Sequence, residues 1–213
     1  AASDVYKRQG WSFIRKAGTI ILLATILVWF TSSFGFTDSG FGMVEMDDSL
    51  LAAIGGAIAW LFAPLGWGNW QAAVAAFTGL IAKENVVGTF GVLYGGFDEV
   101  AENGWQIWIQ MREVFTGLSA YSFLVFNLLC APCFAAMGAI KREMNNGKWT
   151  AFAIGYMCAL AYCSALVVYQ LGGIITGELS FNFFTIVAAV VLVAFIYLLV
   201  LSLIHISEPT RPL

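Results

Sequence analysis

Long apolar stretches separated by short clusters of charged, Gly, Pro and Asn residues dominate this chain. They predict an all-α fold: a polytopic membrane helical bundle of about five to six transmembrane or re-entrant helices. Ala17 to Phe36, preceded by Arg15 and Lys16, has the length of about 20 residues that crosses ~30 Å of hydrocarbon at ~1.5 Å per residue. Leu51 to Leu65 is apolar but short, holds Gly55-Gly56, and is ended or kinked by Pro64. Gly66-Trp67-Gly68-Asn69 reads as a break. Trp70 to Tyr94 resumes as a helix rich in Ala and Gly, interrupted by Lys83, Glu84 and Asn85. Residues 95–113 read as a polar, acidic loop in which Trp105 and Trp108 suit a membrane interface. Val114 to Ile140 is one long apolar run containing Asn127, Cys130, Pro132 and Cys133. A basic turn from Lys141 to Lys148 leads to a span from Trp149 to Leu171, closed by Gly172-Gly173 as a helix terminator. Phe183 to Leu201 is the last span.

The bias of Lys and Arg orients this set. Arg15-Lys16 and the 141–148 turn belong in the cytoplasm, the acidic stretches at 37–48 and 95–113 and the loop at Glu178 outside. Both ends then fall in the cytoplasm, provided that residues 49–94 leave and return on one side. Two crossings, or a re-entrant element plus a broken helix, satisfy that equally.

Composition supports the bilayer as solvent. Hydrophobic residues make up 60% of the chain and charged residues 11%, against about 25% charged in soluble domains, and the mean hydropathy is +0.83. Membrane lipid is thus an expected partner. A net charge of −3 and the lack of a basic patch give no ground for nucleic acid. The four cysteines sit in apolar stretches, which does not fit the disulfide framework of a small secreted domain. SDVYKRQ near the start and LSLIHISEPTRP near the end resemble translated adapter sequence. Residues 1–9 and 202–213 are therefore expected to be non-native flanks of a membrane domain fragment spanning 10–201. The one histidine, His205, falls in that tail and receives no role.

Two constellations carry candidate chemistry. Lys83, Glu84 and Asn85 are polar groups at bilayer depth, where a charge is expensive unless it faces protein or water. They mark an ion pathway or gate, or a polar lock between helices. Helical neighbours point about 100° apart, so Lys83 and Glu84 reach different partners. Gly79, Gly88, Gly91 and Gly95 thin the surrounding helix, for close packing or for local unwinding.

The second constellation is Cys130-Ala131-Pro132-Cys133. On a continuous helix the two sulfurs share a face. Pro132 has no N–H and disrupts the bond to the Leu128 carbonyl, leaving that oxygen free beside two thiols, with Asn127 a turn earlier. Thiolates suit soft and borderline metals. Apolar packing of the cysteines and dithiol redox chemistry are the alternatives. Cys158 and Cys163, five residues apart, share a face poorly and read as packing. No phosphate-binding Gly-rich loop, dinucleotide fingerprint or His-based metal motif occurs, so no catalytic residue and no bound cofactor is expected.

FIRKAGTIIL (13–22), APLGWGNWQAAVAAFTGLIAKENVVGTFGVLY (63–94) and the stretch from FTGLSAYSF through CAPCFAAMGAIKRE to ALAY (115–162) resemble the membrane domain of the ferrous iron transport protein B family. The likeness runs over most of residues 11–200 and corresponds to the C-terminal part of that domain, with its second gate-type repeat. It implies Fe(II) as the transported ion, the bacterial inner membrane as location, and possible homo-oligomers. It also implies a GTPase domain, binding GTP and Mg, and a first gate repeat, both outside this chain. The resemblance places metal contacts at Cys133 and Cys130; the reading of the residues adds Glu84 as a metal contact and sets Lys83, Asn85, Asn127 and Pro132 along the pathway or gate. Cys133 ranks ahead of Cys130, whose position varies in the family. Gly117 stands where the family often has proline. A carrier for another substrate, such as a nucleoside, and an intramembrane thiol oxidoreductase are the competing functions.

Overall fold

A computed structural model describes residues 29–37, 40–79 and 108–207, together with 11, 15, 18–19, 22–23, 26–27, 83, 86, 89–91 and 93. The described residues from Trp11 to Ser33 are helical. The apolar run expected to stay helical to Phe36 instead turns into a hairpin, β1 (Phe34–Thr37) and β2 (Gly40–Met43). The antiparallel register sets Phe34 opposite Met43 and Phe36 opposite Phe41. Because strand side chains alternate faces, Phe34, Phe36 and Phe41 gather on one side, with the Phe34 and Phe41 rings stacked at 5.6 Å. The fold is therefore mostly helical rather than all-α.

The remaining helices are α1 (Leu50–Phe62), α2 (Trp70–Thr78), α3 (Trp108–Val114), α4 (Gly117–Leu129), α5 (Phe134–Met144), α6 (Gly147–Thr176) and α7 (Phe183–Ser207). Short polar side chains start several of them by satisfying orphan backbone N–H groups. Ser49 Oγ accepts from Ala52 N–H at 3.1 Å, Asn69 Oδ1 from Ala72 N–H at 2.7 Å, and Thr116 Oγ1 from Ser119 N–H at 3.2 Å. The basic turn is a tight one: Asn145 takes the left-handed conformation that closes α5, and Asn146 Oδ1 accepts from Lys148 N–H to open α6.

Among the described residues, α6 and α7 are each long and apolar enough to cross a membrane. The pair α1 and α2, bent by 95° at residues 66–69, could make a third crossing or a re-entrant loop. At ~1.5 Å per residue the 30 residues of α6 reach about 45 Å, more than the hydrocarbon thickness. Three expectations are corrected. Gly172-Gly173 does not end the helix before α7, because Gly177, at φ 77°, does. Those two glycines instead admit the Leu118 and Leu179 side chains against the helix. The loop expected over 95–113 becomes helical from Trp108. The run from Val114 to Ile140 is two helices, not one.

The core gathers at the 66–69 corner, which composition marked only as a break. Trp67 is 1% exposed, stacked on Phe62 at 4.4 Å and edge-on to Phe123 and Phe126 of α4. Phe90 extends the cluster to Phe115 and Phe123. Outside it the surface is apolar: Trp60 is 72% exposed and Ile175 86%, as lipid contact allows and water would not.

Candidate functional site

The site is built from broken helices. Helix α2 stops at Thr78, whose hydroxyl donates to the Ala75 carbonyl at 3.0 Å and lies 3.1 Å from the Thr89 hydroxyl. Lys83 sits in a turn, and Val86, whose N–H approaches the Lys83 carbonyl at 3.4 Å, is helical. Among the described residues, Lys83 therefore stands in a turn between two helical pieces, not within a continuous helix. Glu84, Asn85, Gly88 and Gly95 lie outside the described residues; Gly91 is buried.

The second break is the Cys130–Cys133 segment. The last bond of α4 runs from Cys130 N–H to the Phe126 carbonyl at 2.8 Å. Cys130 and Cys133 both adopt extended backbone, with ψ of 164° and 160°. The residue before proline is driven out of the helical region by the pyrrolidine ring, which terminates the helix here. Cys133 becomes the N-terminal boundary residue of α5. The expected shared helical face of Cys130 and Cys133 is thus lost. The sulfur that meets Cys130 Sγ belongs to Cys158 on α6, at 3.7 Å.

The two breaks meet. Lys83 Nζ donates to the Leu128 carbonyl at 3.2 Å, across 45 residues. This is the oxygen that Pro132 leaves without a helical donor, and an unsatisfied carbonyl in hydrocarbon costs several kcal/mol. Asn127 Nδ2 donates to the Phe123 carbonyl at 2.9 Å. Its oxygen turns toward Gly79, where a Cβ would stand 3.0 Å from it. Gly79 therefore provides the close approach of α2 to α4.

Helix α6 fastens this assembly. Ser122 Oγ donates to the Ala165 carbonyl at 3.1 Å, both residues being buried. Tyr162 Oη donates to the Leu61 carbonyl at 2.7 Å, and Gln170 Nε2 to the Pro64 carbonyl at 2.6 Å. Gln170 Oε1 in turn accepts from the Thr185 hydroxyl at 3.4 Å, at the start of α7. Sequence reasoning missed this strap. Its available signal was Gln170, an amide standing alone in the apolar run of α6.

Chemically, two sulfurs 3.7 Å apart match the edge of a tetrahedron built on metal–sulfur bonds of about 2.3 Å. Among the described residues no group of three or more His, Cys, Asp and Glu side chains gathers to hold a metal. Cys130 and Cys158 would supply two donors, and further ones would be backbone carbonyls. Cys133 and Cys163 are half-buried.

The family described as Gate, nucleoside recognition, matches residues 14–147, more than half of the chain. The chain belongs to the Gate family. Its relatives include FeoB proteins: it is 39% identical over 172 residues to the Fe(2+) transporter FeoB of Methanocaldococcus jannaschii, covering 78% of this chain and 24% of that protein. Identity is 36% over 160 residues to the FeoB of Staphylococcus aureus strain COL (75% and 23%), and 33% over 160 residues to that of Campylobacter jejuni (73% and 26%). The chain spans about a quarter of the length of these relatives. No solved structure matches it significantly. In this Gate domain both helix breaks lie inside the matched stretch, whereas Cys158, Tyr162 and Gln170 lie beyond it on α6.

Proposed function

We propose that this Gate domain forms half of the ion pathway of a Fe(II) uptake permease. The observation that carries the reading is the meeting of two helix breaks at Lys83 and Leu128, in a chain whose relatives are named Fe(2+) transporters. Broken helices at a shared depth are how membrane carriers present backbone oxygens to an ion. In this reading Fe(II) is cargo, and Cys133, Cys130 and Glu84 contact it, while Lys83, Asn85, Asn127 and Pro132 line or gate the route. The domain performs no catalysis. It works with a first gate repeat and a GTPase domain that binds GTP and Mg, in a polytopic bundle of the inner membrane with both ends cytoplasmic, as a single copy or a homo-oligomer.

The test uses the full-length parent protein in cells deficient in iron uptake. Glu84→Ala and Cys133→Ser are each expected to lower Fe(II) accumulation about tenfold, the effect of losing ~1.4 kcal/mol of interaction. Wild-type accumulation by both variants would remove these residues from the pathway. The family description also names nucleoside recognition, which supports a nucleoside carrier as the second reading. Saturable uptake of labelled nucleoside, with none of Fe(II), would establish that one instead.

A further inference from the structure

The Leu128 carbonyl has lost its helical donor, because α4 ends at Leu129 and Pro132 has no N–H to return. A carbonyl oxygen offers two lone pairs and no proton, so two kinds of partner satisfy it, a donor or a cation. The Lys83 ammonium, 3.2 Å away, is both. It is a compact point charge on a flexible four-carbon stem, and Lys83 is only partly buried, so the stem has somewhere to go. Two residues beyond Leu128, the Cys130 sulfur faces that of Cys158 at 3.7 Å. Soft donors therefore stand next in line to a hard oxygen that already holds a positive charge.

We propose that Lys83 is a tethered cation, the resting occupant of a cation site at the Leu128 carbonyl, which an entering metal ion must displace. The proposal rests on the permease reading and adds to it a residue that decides which ions enter. A divalent ion and a retained ammonium repel at close range in a medium of low dielectric, so the two exclude one another. To win, an ion must gain more from the site than the ammonium does. A divalent cation that binds both carbonyl oxygen and thiolate sulfur meets that condition. Sodium and potassium, which bind thiolate poorly, do not, and for them the gate stays shut.

The experiment uses the wild-type full-length protein in detergent or liposomes. A water-soluble amine-acylating reagent is applied anaerobically with and without Fe(II), and labelling of Lys83 is read by peptide mass spectrometry, with exposed Lys141 as the internal control. Displacement by the ion should raise Lys83 labelling about threefold or more, with Na⁺ at equal ionic strength ineffective. In parallel, Lys83→Met should lower the half-saturating concentration for Fe(II) uptake about threefold or more, while Lys83→Arg, which keeps the charge, stays near wild type. Lys83 labelling that is unchanged or reduced by Fe(II) overturns the proposal, and that measurement does not depend on any variant folding. A wild-type protein that takes up no divalent ion overturns the permease reading. One that does so with Lys83 labelling unmoved overturns only the tethered cation.

Discussion

Lys83 Nζ lies 3.2 Å from the carbonyl oxygen of Leu128, and Tyr162 Oη lies 2.7 Å from that of Leu61. In each case the helix ends before its backbone can return a donor: Pro132 has no N–H to offer Leu128, and α1 stops at Phe62, one residue after Leu61. In each case a side chain distant in sequence replaces it. Both of these helix ends are capped from elsewhere in the fold.

Pro132→Ala tests whether proline or packing holds the second break open. Alanine is favoured over proline in a helix interior by about 3 kcal/mol, so α4 and α5 should join and the Leu128 carbonyl should recover a backbone donor. Lys83 would then be labelled readily without metal, and uptake by the full-length protein should fall about tenfold. Continued protection of Lys83 would show that packing alone keeps the break.

Gln170→Leu removes a group bound to both Pro64 and Thr185. Leaving the buried partners unsatisfied should cost about 1–3 kcal/mol. Tyr162→Phe, which loses one bond, should cost ~0.6 kcal/mol and at most ~1.7, as for other interhelical bonds in membranes. Thermal unfolding in detergent ranks the two variants. Equal, negligible losses would show that the α6 strap adds nothing to stability.

Oxidation should join Cys130 to Cys158. Their sulfurs, 3.7 Å apart, must close to the bond length of about 2.05 Å, which small rotations about χ1 allow. Diamide treatment followed by peptide mass spectrometry should yield the 130–158 crosslink as the main product. A crosslink between Cys130 and Cys133 in its place would restore the pairing expected from a continuous helix.

Gly66→Ala should destabilise the 66–69 corner. Gly66 sits at φ 91° with the Tyr169 ring against it. A left-handed alanine costs about 1–2 kcal/mol before any steric term. Reduced thermal stability, with lower accumulation in the membrane, is the expected result. A neutral effect would mean that the corner relaxes freely.

Much of the architecture was legible in the residues themselves. The apolar runs at 149–171 and 183–201 became α6 and α7, and the Asn-rich turn between α5 and α6 fell where polar, turn-forming residues interrupt the pattern. The hairpin at 34–43 was not legible, because Phe34 to Phe36 continues an apolar run whether the backbone is helix or strand. The pairing of Cys130 with Cys158 was not legible either. It depends on rotation of α6 against α4, and nothing local to either cysteine reports that rotation.

Hydropathy and breaker residues, acting over a few neighbours at a time, determined that this chain belongs in lipid and that its apolar pattern is interrupted at Pro64 to Asn69, whereas the helix end before Pro132 emerged only in the fold. Those effects are local: a proline removes its own N–H wherever it sits, and a long apolar run seeks hydrocarbon whatever packs beside it. Which distant group would answer each orphaned oxygen was decided only by the tertiary structure. Lys83, Tyr162 and Gln170 reach their carbonyls because helices far apart in sequence are pressed together around Trp67, and hydrogen bonds are made across space, not along the chain.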